Sequence, residues 1–388
     1  MVKFETFGVE RWMDEWQPRC TFDLAETCAS SLTIEELLKL GGADLFGLPK
    51  QRMVYGDIRG SDKLRDNIAS LYEQESGTKR DNILITQGAI GANFLVFLSL
   101  ISAASNVVVA HPTYQQLYGA PKALGAKVLQ WKQSPKSDWQ HKVDDLIPLL
   151  TKDTSLVVVN NPKNPTGTFL SGSELESIVK AVQEHASPDC IILSDEVYRP
   201  LYHSLGQGEE MPPSMLEVGA RLGFPNVIAT GSLSKAFALA GLRVGWIATP
   251  RTDLIDLFAD TRDYNVISVS MLDDYLAGIA LEPATREGIL KRNCELARTN
   301  REDVAAFVQS AGLQWTAPKA GTTAFIRLPD GTDDVEFCRE LALQAKVLLC
   351  PGTYFDWPGY VRLGYANERE QFKQGLVELK NFMKQRAQ

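Results

Sequence analysis

Six short runs rich in β-branched and aliphatic residues recur along the chain: ILIT from Ile83, NVVVA from Asn106, LVVVN from Leu156, CIILSD from Cys190, NVIATG from Asn226 and VGWIA from Val244. A strand with one wet face alternates polar and apolar residues, and these runs do not. They belong instead to a mostly parallel sheet buried on both faces. Segments 91–102, 113–124 and 172–186 have the length and composition of the crossover helices that would cover it. The expected fold class is therefore α/β. Beyond Pro283 the pattern changes: a long charged helix is expected over 284–310, then short strands at FIRL and VRLGY, and a last helix from Asn367. This reads as a smaller α+β domain. The expected division is an N-terminal arm over 1–45 that joins the smaller domain, a large domain over 46–283, and a small C-terminal domain over 284–388.

A chain of 388 residues, 44% apolar and 23% charged, has ample material for two or three domains. Its formal charge of −8 argues against a nucleic-acid partner, which would need clustered positive charge. The opening MVKFETFGVERWMDEW lacks the apolar core of a secretory signal, and the most apolar stretch, Ala92 to Ala104, falls short of the roughly 20 residues that span a bilayer. Six cysteines are scattered without a C-x-x-C pair, and four histidines show no metal-ligand spacing. Reduced thiols, a cytoplasmic setting, no membrane and no metal are expected.

Ligands of open sheets collect beyond the carboxyl ends of the strands. Four polar groups sit there: Gly88-Ala89-Ile90 after ILIT, Asn160 to Gly167 after LVVVN, Asp195 after CIILS, and Ser232 to Lys235 after NVIATG. Lys235 precedes Ala236, Phe237 and Ala238, neighbours that suit a buried wall, and burial favours loss of an amine's proton. Asp195 alone reads as a turn or capping carboxylate. Tyr198, three residues on, lets one short turn present a carboxylate and a phenol to the same pocket. Carboxylate, phenol and amine suit a cofactor with a ring nitrogen to protonate, a ring oxygen to hydrogen-bond and an aldehyde to condense, which describes pyridoxal 5′-phosphate. Its phosphate would find the hydroxyls of Ser232 and Ser234, the guanidinium of Arg243, and the N–H groups of Gly88, Ala89 and Ile90 at a helix start.

In this order the residues resemble the fold-type I pyridoxal-phosphate enzymes, in particular the class I/II aminotransferases, from about Tyr55 to Ala366. The family pattern S-x-S-K followed by G-x-R-x-G stands here as Ser232-Leu233-Ser234-Lys235 and Gly241 to Gly245. The resemblance makes Lys235 the residue that bonds the cofactor and Arg243 a phosphate ligand. NNPKNPTG resembles the family loop whose asparagine, here Asn164, meets the ring oxygen with Tyr198 and borders the substrate. D-x-x-Y stands as Asp195 to Tyr198. Tyr114 resembles the aromatic that stacks on the pyridine ring, and Arg362 the arginine that clamps the substrate carboxylate. Tyr55 resembles the tyrosine that reaches the phosphate of a neighbouring subunit, which implies a homodimer with shared sites.

A P-loop reading of GSLSK fails on spacing, because Ser234 precedes the lysine and Ala236 follows it. The resemblance implies transfer of an amino group between an L-amino acid and a 2-oxo acid. The opening region, 9–38, is also similar to that of capreomycidine synthases, which cyclise a hydroxylated arginine. Cyclisation, elimination and oxidation therefore stand as alternatives, with a non-catalytic member of the fold behind them. Glu26 is an acidic candidate for a cationic side chain, set against the commoner reading of an exposed surface glutamate.

Overall fold

The computed structural model describes residues 2–43, 52–72 and 76–386, and the expected boundary between residues 45 and 46 lies outside them. Seven strands form the central sheet: β1 (Ile83–Gln87), β2 (Asn106–His111), β3 (Lys127–Lys132), β4 (Thr154–Asn160), β5 (Ile191–Asp195), β6 (Val227–Ser232) and β7 (Val244–Ala248). Their order across the sheet is β1-β7-β6-β5-β4-β2-β3. Only β7 runs against its neighbours; the pairings from β6 to β3 are parallel.

Alternation explains why these strands must be apolar throughout. Val107 and Val109 of β2, Leu156 and Val158 of β4, and Leu193 of β5 point to one face, where they pack with Ala92, Leu95 and Val96 of helix α2 (Gly88–Leu100). The residues between them, Val108, Val157, Val159 and Ile192, point to the other face, against Leu175, Ile178 and Val182 of helix α3 (Gly172–His185). With both faces covered, a polar residue in either register would be stranded in a core. The edge strand β3 is the exception, with Lys127 and Lys132 exposed at its ends.

A second core joins the two ends of the chain. The N-terminal helix α1 (Gly8–Trp16) buries Val9, Trp12 and Trp16, an apolar stripe at helical spacing, and the Trp12 indole donates to the Leu349 carbonyl at 2.8 Å. These side chains share a cluster with Val304 and Phe307 of helix α4 (Pro283–Ser310), Phe372 of helix α5 (Arg369–Arg386), and a four-stranded antiparallel sheet. That sheet comprises β8 (Gln314–Trp315), β9 (Thr323–Arg327), β10 (Cys350–Pro351) and β11 (Tyr360–Gly364), in the order β10-β11-β9-β8. All six cysteines are free, and among the described residues no helix is long and apolar enough to cross a membrane.

Candidate active site

Sheet topology places the polar residues. Strands β1, β2, β4, β5 and β6 point the same way, so their carboxyl ends lie along one edge, whereas antiparallel β7 starts from that edge. Gln87 pairs with Val244 and Ser232 with Gly245, so Arg243 arrives between the ends of β1 and β6. A cavity of about 330 Å³ opens there, lined by Ala89, Ile90, Tyr114, Asn164, Asp195, Tyr198, Ser232, Ser234, Lys235, Arg243 and Arg362. Gly88 lies behind this lining, against Arg243. Tyr55 is outside it and 78% exposed.

Asp195 is buried. One carboxylate oxygen accepts from the Val197 N–H at 3.1 Å and the other from Asn93 Nδ2 at 3.0 Å. Asn93 is itself oriented by the Thr230 hydroxyl, which donates to its Oδ1 at 2.7 Å. Burial pushes the Asp195 pKa up to about 6, against the opposing pull of these hydrogen bonds and of Lys235. An anion so placed, with no cation in direct contact among the described residues, favours a positively charged group on the cavity side.

Lys235 lines the cavity between buried neighbours, as its sequence context suggested. Its amine donates to Thr27 Oγ1 at 2.6 Å and to Cys28 Sγ at 3.3 Å, and lies 3.9 Å from Glu26 Oε1. The expectation of an easily lost proton is corrected here. Burial alone would lower the pKa, but Cys28, Tyr198 and Glu26 outweigh it and hold the free amine above the ordinary lysine value. Lys163 is more deeply buried; it faces Gln133 Oε1 and the Trp139 carbonyl rather than the cavity, and burial lowers its pKa to about 7.

Opposite these groups is a cradle suited to phosphate. Helix α2 begins at Gly88 with φ +71°, and its preceding residue, Gln87, provides no side-chain cap, leaving first-turn N–H groups for a ligand. A Cβ at Gly88 would sit 3.0 Å from Arg243 Nη2, so glycine is what lets the guanidinium approach the helix start. Gly245 likewise admits the backbone of Gly88 and Ala89, since its Cβ would lie 2.6 Å from the Ala89 nitrogen. The Ser232 hydroxyl accepts from the Ser234 N–H at 3.1 Å, which fixes both serines at the rim. With an amine, a buried carboxylate and this cradle around one cavity, the residues fit pyridoxal 5′-phosphate.

Arg362 of β11 also lines the cavity and is buried without a carboxylate partner among the described residues. Its guanidinium donates to Asn164 Oδ1 at 3.4 Å and to the Ala25 carbonyl at 3.1 Å, lies 5.1 Å from the Phe355 ring, and leaves Nε unpaired. Tyr114 donates to Glu10 at 2.6 Å. Sequence reasoning missed Asn93, which looks like any polar residue within an apolar helix. It named Glu26 but missed its neighbours: Ala25, which touches Arg362, and Thr27 and Cys28, which touch Lys235. Gly364 permits these contacts: a Cβ there would overlap the Glu26 carbonyl oxygen.

Comparison with known proteins gives the family and the fold. The family description for aminotransferase class I and II matches residues 29–378. Capreomycidine synthase of Streptomyces vinaceus is 29% identical over 375 residues, covering 96% of this chain and 92% of that protein. A PLP-dependent aminotransferase structure from Streptococcus suis superimposes with a TM-score of 0.91 at 35% identity, covering 99% and 98% of the two chains. The PLP-dependent cyclase OrfR superimposes at 0.86 with 26% identity, covering 99% and 98%. The chain belongs to the aminotransferase class I and II family and is a pyridoxal-5′-phosphate-dependent transferase of fold type I.

Proposed function

We propose that the protein transfers the amino group of an L-amino acid to a 2-oxo acid. The observation that carries this reading is the gathering of Lys235, Asp195 and the carboxylate-free guanidinium of Arg362 around one cavity. When bound, pyridoxal 5′-phosphate supplies an aldehyde that condenses with amines and a ring that withdraws electrons from the substrate α-carbon. Lys235 would hold the cofactor through its amine and, once a substrate amine has displaced it, that freed amine would take the proton from the α-carbon and return it to the neighbouring carbon. Asp195 keeps the ring nitrogen protonated, an interaction that matters most as negative charge develops. Tyr198 and Asn164 hold the ring oxygen, and Tyr114 covers the ring face. Ser232, Ser234, Arg243 and the N–H groups of Gly88, Ala89 and Ile90 hold the phosphate. Arg362, with Asn164 beside it, takes the substrate carboxylate and fixes the α-carbon near Lys235.

The same reading makes the protein a cytoplasmic homodimer, with Tyr55 reaching the phosphate site of a second copy. On it, residues 46–283 form the cofactor domain, 284–388 the small C-terminal domain, and 1–45 an N-terminal arm and part of the small domain. A second reading, cyclisation of a modified amino acid, is favoured by one feature: Val9, Glu10 and Met13 of α1, in the region similar to capreomycidine synthases, line the cavity. Incubating the holoenzyme with a panel of amino acids, with and without a 2-oxo acid, and identifying the products separates the two. Oxo-acid-dependent formation of a new amino acid supports transfer. A cyclised product, ammonia or peroxide formed without acceptor overturns it.

A further inference from the structure

Glu26 stands in the cavity wall beside Lys235. Its Oε1 accepts from the backbone N–H groups of Thr27 and Cys28, both at 2.6 Å, so the carboxylate is fixed by its own backbone rather than by a mobile partner. Among the described residues the carboxylate has one further donor beside it, the Cys28 thiol, and no cation nearer than Lys235. The side chain is 38% exposed and lines both this cavity and a neighbouring one that shares Gln17, Cys28 and Ala240 with it. Burial would raise its pKa, but Lys235 and the N–H groups of Thr27 and Cys28 outweigh that effect and keep it ionised.

The charges lining the cavity are Lys235, Arg243 and Arg362 against Glu10, Glu26 and Asp195. On the reading proposed above, which this inference rests on, Arg243 is committed to phosphate, Asp195 to the ring nitrogen, Arg362 to the substrate carboxylate and Lys235 to the cofactor. Glu10 is held by the Tyr114 hydroxyl. Glu26 is then a fixed anion with no cation left to pair with it. It follows Ala25, whose carbonyl holds Arg362, and lies 3.9 Å from the Lys235 amine, so it stands beside both the group assigned to the substrate carboxylate and the group assigned to the cofactor. Placing a neutral aliphatic side chain there would desolvate the carboxylate without compensation, whereas a cation would pair with it.

We infer that Glu26 selects amino acids whose side chain ends in a cation, such as an ammonium or a guanidinium. The pair α-methyllysine and α-methylnorleucine differs in the terminal ammonium alone. Both carry the same α-ammonium and α-carboxylate, and neither has an α-proton, so binding is read apart from the reaction that follows. Titrated calorimetrically into the holoenzyme, α-methyllysine is expected to bind at least tenfold more tightly. Glu26→Gln, which keeps an oxygen to accept from Thr27 and Cys28, should remove most of that difference by weakening the lysine analogue, leaving the norleucine analogue within about twofold. Equal affinities in the wild type would overturn the inference. So would a loss in Glu26→Gln that is the same for both ligands, because Glu26 would then act on Lys235 rather than on the side chain. If neither ligand bound, the amino-acid reading of the cavity would fall along with it.

Discussion

Replacing Asp195 by asparagine separates what the carboxylate costs the protein from what it gives the reaction. In the cofactor-free protein its pKa is about 6, against 3.8 for an unperturbed aspartate, so the folded state holds a proton that the unfolded state has released. Because the folded state binds more protons, stability falls as pH rises through this window. At about 1.4 kcal/mol per pKa unit, the loss approaches 3 kcal/mol once pH exceeds about 6. Asparagine does not titrate. Its amide cannot accept from both Val197 N–H and Asn93 Nδ2, and Asn93 is locked by Thr230, so the variant carries a constant penalty; that offset does not vary with pH. Denaturant unfolding of both cofactor-free proteins should therefore show the wild type losing up to about 3 kcal/mol relative to Asp195→Asn between roughly pH 4 and pH 7. Saturating cofactor should reverse the trend, because a protonated ring nitrogen compensates the carboxylate. In turnover, removing a desolvated charge partner worth about 2–5 kcal/mol slows the variant roughly 30-fold to several-thousand-fold. Parallel stability profiles in the cofactor-free proteins, or near-normal turnover, would refute the reasoning.

Three further outcomes follow from the site. Lys235→Ala should abolish turnover, and borohydride reduction of the wild-type holoenzyme should leave the cofactor attached at Lys235; attachment at Lys163 or another lysine would contradict the assignment. Arg362→Ala should raise the apparent KM for the amino acid by well over tenfold, since it removes one partner of a desolvated charge pair, while Arg243→Ala should chiefly weaken cofactor retention, as read by dialysis and absorbance. Identical defects in the two variants would mean the two arginines do not serve separate anions. Gly364→Ala forces a methyl group into the Glu26 carbonyl, and overpacking against backbone costs about 1–3 kcal/mol or more. It should lower Tm and raise KM together, and an unchanged Tm would show that Ala25 to Cys28 yields freely.

The buried strands were legible because a sheet covered on both faces leaves no polar register in Val107 to Val109 or Leu156 to Val159. Strand β3 was not, since Lys127, Gln130 and Lys132 break the apolar run that marks a strand buried on both faces. Antiparallel β7 could not be told from its parallel neighbours either, because direction leaves no mark on a short apolar run. That direction is nonetheless what delivers Arg243 to the start of helix α2. Residues beside strand ends were findable from the strands. The contact of Thr27 with Lys235 joins positions 208 residues apart and has no local signal. Lys235's sequence context showed its burial but not the Cys28, Tyr198 and Glu26 side chains that face it, which is why the amine's pKa was expected to move down and instead moves up.

Amino transfer is tested most directly by following the nitrogen. The holoenzyme is given an L-amino acid labelled with heavy nitrogen at the α-position, chosen from those that the product panel finds reactive, together with an unlabelled 2-oxo acid. Mass spectrometry is then used to locate the label. Transfer through Lys235 and the cofactor predicts the label in the amino acid formed from the acceptor, with the donor recovered as its oxo acid. Label retained in a cyclised or otherwise modified donor, or released as ammonia, would contradict it.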